Sequence, residues 1–291
     1  MFTLTSEGGG SSAPRTAGPV FHIDPKMLQT MAPAMDRMLV VDPSPASARM
    51  LTELLHNIWP GQVWSATSTA AGLSLADSVD PRLIFVECEG PGLDGVIFTK
   101  KLRRSSFRCR KAPVIMVTAQ ATPGVILAAR DSGVHEFLRK PYNNKDLVRR
   151  IEAVTRYQRG WVEAVGYVGP DRRRFNSAEY KGARKRQADA ADSTQSGILQ
   201  ALKIVASAVH FVEDDPTQVR RSLDAQMHDL RMAAEAKGDT ALAAATEALQ
   251  DYLARVAAGK ERLTKSGVEA LAVKLLAFMP KQAEPKARSA A

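Results

Sequence analysis

Leu83-Ile84-Phe85-Val86-Glu87, followed by Cys88-Glu89-Gly90-Pro91-Gly92-Leu93-Asp94-Gly95, decides how the first half of this chain folds. Four consecutive apolar residues closed by a carboxylate and a Gly/Pro turn read as a strand buried on both faces, since a half-exposed strand would alternate. Related runs lie on either side: Met38-Leu39-Val40-Val41 and the weaker Gln62-Val63-Trp64 before it, Val114-Ile115-Met116-Val117 and Glu136-Phe137-Leu138 after it. Helical patterns fill the intervals at residues 47–58, 67–78, 96–103, 123–132 and 145–157. Strands alternating with helices of this length are βαβ units. Right-handed crossovers wind them into an α/β fold, a doubly wound five-stranded parallel sheet. Ligand sites in such sheets lie beyond the carboxyl ends of the strands, which directs attention to Asp42, Glu87, Thr118 and Lys140.

Val40-Val41-Asp42, Glu87 with Pro91-Gly92-Leu93-Asp94-Gly95, Val117-Thr118-Ala119 and Lys140-Pro141-Tyr142 stand in the order and spacing of receiver-domain motifs. The segment 38–156 therefore resembles the flavodoxin-like receiver domains of two-component response regulators. The resemblance implies phosphoryl transfer from a histidine kinase to an aspartate at the end of the third strand. It implies further that two acidic residues after the first strand hold Mg²⁺ while a Thr or Ser and a Lys contact the phosphoryl oxygens, since charge on the transferring group must be neutralised and its geometry fixed.

Two positions depart from that pattern. Glu87 stands where the acceptor aspartate belongs, and Pro43, which offers no ligand atom, stands where the second acidic residue belongs beside Asp42. Mg²⁺ relies on carboxylates in near-octahedral geometry, so metal binding is expected to be weak or absent, with Asp42 as the residual ligand. An extra methylene displaces the Glu87 carboxylate by roughly one bond length, where about 1 Å of misplacement can cost about 10²-fold. The expectation is a pseudo-receiver in which Glu87 pairs permanently with Lys140, Thr118 donates to the same carboxylate, and Phe137, at the aromatic switch position of the family, is held in one orientation. Glu87 brings one charge and two oxygens, short of the about −1.5 to −2 and three oxygens of a phosphoryl group. The plainer alternative is a stabilising remnant pair.

Net charge is +9 at 291 residues, and it is unevenly placed: between positions 145 and 187 twelve Lys/Arg face five Asp/Glu. Tyr167-Val168-Gly169-Pro170-Asp171 leads into Arg172, Arg173 and Arg174, and Tyr180-Lys181-Gly182-Ala183 into Arg184, Lys185 and Arg186. The Gly-Pro-Asp turn is expected to present the arginines outward, where guanidinium forks suit a cyclic dinucleotide, nucleic acid or an acidic protein surface. The competing reading is a solvated tether.

From Ile198 onward strand signals vanish and four amphipathic stretches follow, about 198–212, 216–237, 240–258 and 267–279, delimited by Asp215-Pro216, Gly238-Asp239, Gly259 and Pro280. Short connections imply an antiparallel all-α bundle. His228-Asp229-Leu230-Arg231 weakly resembles the core of histidine phosphotransfer domains, with Arg231 placed to steady a phosphohistidine, but Met232 stands where that family needs glycine.

These readings divide the chain into a disordered leader (1–35), a receiver-like domain (36–158), an arginine-rich linker (159–195), a helical bundle (196–280) and a disordered tail (281–291). Two cysteines and no long apolar run disfavour a disulfide scaffold, secretion and membrane spanning and point to a cytoplasmic protein. The function expected is non-enzymatic, phosphorylation-independent signalling in a bacterial two-component pathway, with the bundle as output and histidine kinases, phosphotransfer proteins or downstream targets as partners. A homodimer is compatible with it; DNA is disfavoured, because no basic recognition helix follows the linker. A phosphorelay bundle using His228 and a cyclic-dinucleotide adaptor using Arg172 to Arg174 are the alternatives.

Overall fold

The computed structural model describes residues 23–157, 159–172 and 188–279. In chain order, α1 (Pro25–Met35) leads into β1 (Arg37–Val41), α2 (Pro45–Ile58), β2 (Gln62–Ala66), α3 (Thr69–Val79) and β3 (Leu83–Glu87). Two-residue strands β4 (Glu89–Gly90) and β5 (Leu93–Asp94) form a small hairpin before α4 (Gly95–Arg104), β6 (Val114–Thr118), α5 (Pro123–Ser132), β7 (Glu136–Arg139) and α6 (Asn144–Arg156).

Five parallel strands are ordered β2-β1-β3-β6-β7. The central strands are buried on both faces, as their unbroken apolar runs require. Met38, Val40, Leu83, Phe85, Ile115 and Val117 face α2 and α6, while Leu39, Val41, Ile84, Val86, Val114 and Met116 face α3, α4 and α5. The doubly wound sheet expected from the sequence is present.

Residues 25–35 correct the expected leader. Asp24 accepts from Lys26 N and caps α1, Pro25 opens it, and Met31 and Met35 are fully buried in the core cluster shared with α2 and α6. A Cβ on Gly61 would lie 1.8 Å from the Met35 carbonyl, so the end of α1 is pressed onto the turn before β2.

The expected tether is likewise partly ordered. Residues 159–172 include the antiparallel hairpin β8 (Trp161–Glu163) and β9 (Val168–Pro170), and Gly169-Pro170 lies in a strand rather than an outward turn. Its Val165 joins the core of the helical bundle, and β9 lies so close to Gly133 that a Cβ there would meet Val168 O at 2.4 Å. The bundle starts earlier than expected, with α7 (Ala188–Val209), and continues through α8 (Pro216–Lys237), α9 (Thr240–Ala257) and α10 (Lys265–Leu276). Leu202, Val205, Val219, Leu223, Met227, Leu249, Leu253, Val268 and Leu275 form its interior. No helix among the described residues is long and apolar enough to cross a membrane.

Candidate functional site

Parallel pairing delivers the chemistry-bearing residues to one edge. Backbone amides just past the strand ends extend the ladder: Asp42 N donates to Ala66 O at 3.0 Å, Cys88 N to Val117 O at 2.8 Å and Lys140 N to Thr118 O at 2.8 Å. Asp42, Glu87, Thr118 and Lys140 are thereby fixed at the carboxyl ends of β1, β3 and β6 and just after β7.

Lys140 Nζ lies 3.2 Å from Asp42 Oδ2 and is hydrogen-bonded to Glu87 Oε2. The remaining carboxylate oxygens are also engaged. Ser44 N donates to Asp42 Oδ1 at 2.8 Å and Cys88 N to Glu87 Oε1 at 3.2 Å. The two acids are nearly enclosed, at 9% and 11% side-chain exposure, and the lysine at 25%. Burial alone would depress the ammonium, but hydrogen bonding and charge from Glu87, and then from Asp42, outweigh it and hold the Lys140 pKa above the ordinary lysine value. Desolvation, with the charges of Glu89, Glu87 and Asp94, raises the neighbouring Cys88 thiol.

Pro43 follows Asp42 directly after β1. A Cβ on Gly90 would lie 2.4 Å from Pro43 Cγ, so the pyrrolidine ring packs directly on the β4–β5 turn. Thr118 does not make the expected bond. Its hydroxyl donates to Gln120 O at 3.1 Å and accepts from Gln120 N at 3.0 Å, closing its own turn. Phe137 is half-buried against the cluster on the α3, α4 and α5 side, opposite Met116.

The other expected residues are dispersed. Arg172 does not point freely outward; its guanidinium stacks 3.5 Å over the Tyr167 ring and donates to Asp131 at 2.8 Å. Arg173, Arg174, Arg184 and Arg186 lie outside the described residues, as do residues 1–22 and 280–291. His228 is exposed on α8, Arg231 is turned to Glu235 at 3.8 Å, and Met232 stands exposed one turn on. No group of three or more His, Cys, Asp or Glu side chains among the described residues could hold a metal ion.

Sequence reasoning missed the backbone donors that occupy the carboxylates, and only the Asp42-Pro43-Ser44-Pro45 helix start carried a signal for one of them. It also missed a buried polar joint at the opposite end of the sheet. Arg103, fully buried, donates to Gly133 O, Arg110 O and Ala112 O and to His135 Nδ1. Burial lowers its pKa to about 9, leaving it cationic at neutral pH.

The family model described as response regulator receiver domain matches residues 38–152. Protein PilH of Pseudomonas aeruginosa is 30% identical over 120 residues, which are 41% of this chain and 98% of PilH. The DNA-binding response regulator MtrA of Mycolicibacterium smegmatis is 29% identical over 120 residues, 40% of this chain and 49% of MtrA. The chain thus spans about half the length of MtrA. Among solved structures, chemotaxis protein CheY4 of Vibrio cholerae aligns over 42% of this chain and 99% of that one, at 25% identity and a TM-score of 0.39.

Proposed function

The chain belongs to the response regulator receiver family of signal-transduction proteins, and from that premise we propose that its receiver operates without phosphorylation, as a permanently set switch read by protein partners, with the helical bundle as its output end. The observation that carries this reading is the Lys140 ammonium seated between the carboxylates of Asp42 and Glu87.

The ammonium that would neutralise a transferring phosphoryl group is already committed to these two acids. The donor set does not fit Mg²⁺: each carboxylate oxygen has a hydrogen-bond donor, Pro43 contributes none, and an octahedral cation would have to displace a charged lysine. Without a metal to balance charge, attack by Glu87 on a phosphodonor lacks its main electrostatic support. The pair holds β3 to the loop after β7 and gives that edge one fixed arrangement. Its partners are signalling proteins of two-component pathways, a histidine kinase, a phosphotransfer protein or a downstream target.

Addition of Mg²⁺ with beryllofluoride, an analogue of the aspartyl phosphoryl group, tests the reading through intrinsic tryptophan fluorescence of the full chain. No saturable change is expected. A saturable change abolished by Glu87→Ala contradicts it.

A further inference from the structure

α4 runs from the candidate site to the bundle. At its start, Gly95 N donates to Cys88 O at 2.8 Å, and a Cβ on Gly95 would lie 2.3 Å from Glu87 O, so this helix end is packed directly on the end of β3. Asp94 Oδ1 accepts from Ile97 N at 2.8 Å and caps the helix. Its 10 residues, at about 1.5 Å of rise each, carry the last turn roughly 15 Å away.

There α4 and α8 exchange arginines. Arg104 reaches Asp215, the N-cap of α8, at 3.0 Å and Val165 O at 2.7 Å, while Arg221 of α8 donates to Arg104 O at 2.7 Å and Ser105 O at 3.1 Å, satisfying carbonyls at the end of α4. Glu163 of the hairpin, 6% exposed in its side chain, lies at the centre. Its carboxylate accepts from Arg110 Nη2 at 2.7 Å, Gln218 Nε2 at 3.0 Å and Trp161 Nε1 at 2.9 Å, and its backbone oxygen accepts from Ser222 and Gln226. Gln218, Ser222 and Gln226 thus form a buried polar stripe one turn apart, turned away from the bundle's apolar core. Arg103 lies 5.3 Å over Trp161 and ties the same hairpin to the last turn of α4.

Resting on the reading of the pocket as a fixed switch, we propose that α4 is a strut through which the state of residue 87 sets the seating of the bundle, with Glu163 as the joint that α8 is held by. A buried carboxylate with three donors to it has no neutral substitute, because a carboxamide offers one oxygen and puts its NH₂ against a donor. The interface is directional for the same reason: Glu163, Ser222, Gln226 and the Gln218 amide nitrogen each bond in this one arrangement, so α8 follows α4 rather than sliding over it.

Hydrogen exchange of the full chain, read by mass spectrometry, tests this with Glu163→Gln, Glu87→Ala and the double variant. Glu163→Gln is expected to speed exchange over residues 218–226 by about tenfold, the loss of roughly one buried hydrogen bond, and to leave β3 unchanged. Glu87→Ala is expected to speed exchange in the first turn of α4 and also over residues 218–226, and to add nothing over residues 218–226 once Glu163 is replaced. Arg221→Gln, a half-exposed position, is expected to repeat the α8 effect in an intact fold. The strut is refuted if Glu87→Ala leaves residues 218–226 unchanged in the otherwise native chain, or changes them equally with and without Glu163. Labelling of Glu87 by a phosphodonor would contradict the fixed switch while leaving this exchange pattern as it is, so the two failures are separable.

Discussion

Lys140 Nζ is hydrogen-bonded to Glu87 Oε2 across the carboxyl end of the sheet, joining β3 to the residue that follows β7. Removing the ammonium leaves Asp42 and Glu87 facing each other without a counter-ion. Lys140→Ala is expected to lower unfolding free energy by about 2–3 kcal/mol, below the 3–5 typical of fully buried pairs because the lysine is 25% exposed. Glu87→Gln should cost less, since its carboxamide still accepts from Lys140. Urea unfolding of the three proteins checks the order.

The same lysine gives the protein an alkaline limit. Its folded pKa lies above the ordinary 10.5, so its stabilisation is complete below the unfolded value and is lost as pH rises through the folded one. Lys140→Met should flatten the fall in stability above pH 10.5, read from denaturant midpoints.

His135 predicts an acid limit of opposite sign. Burial, then the charges of Arg103 and Arg159, push its pKa well below the ordinary 6.5. Its Nδ1 accepts from Val114 N and Arg103 Nη2, both at 3.2 Å, so the neutral ring is the form the fold holds. The unfolded chain takes up a proton below pH 6.5 that the folded chain refuses, and stability should fall by up to about 1.4 kcal/mol per pH unit as pH drops through that range. His135→Asn, which keeps an acceptor near Nδ1, should remove this slope between pH 6.5 and 5.

Met31→Ala tests whether the segment before β1 belongs to the domain. Met31 is fully buried beneath α2 and α6, and truncation is expected to cost about 2–4 kcal/mol. A detached leader would show no change in urea midpoint.

That segment also marks where the sequence was legible and where it was not. The Asp24-Pro25 start has the same cap-and-proline form as Asp215-Pro216, and Met27, Met31 and Met35 repeat every four residues. Pro33 and the flanking low-complexity residues obscured that stripe. The sheet itself was readable because strands buried on both faces need unbroken apolar runs, and the positions of Asp42, Glu87 and Lys140 followed from the strand ends. Thr118 was not readable in the same way. A threonine's spacing fixes where its Cα lies, whereas its hydroxyl rotates to whichever partner is nearer, here Gln120. Glu163 and the Gln218, Ser222, Gln226 stripe were invisible for a related reason: a polar stripe on an amphipathic helix looks solvated until another element covers it.

The central claim is that Glu87 does not accept a phosphoryl group, and labelling tests it most directly. Full-length protein incubated with Mg²⁺ and radiolabelled acetyl phosphate, beside Glu87→Ala, is predicted to retain no more label than the variant. Stoichiometric label in the native chain that Glu87→Ala abolishes would contradict the account.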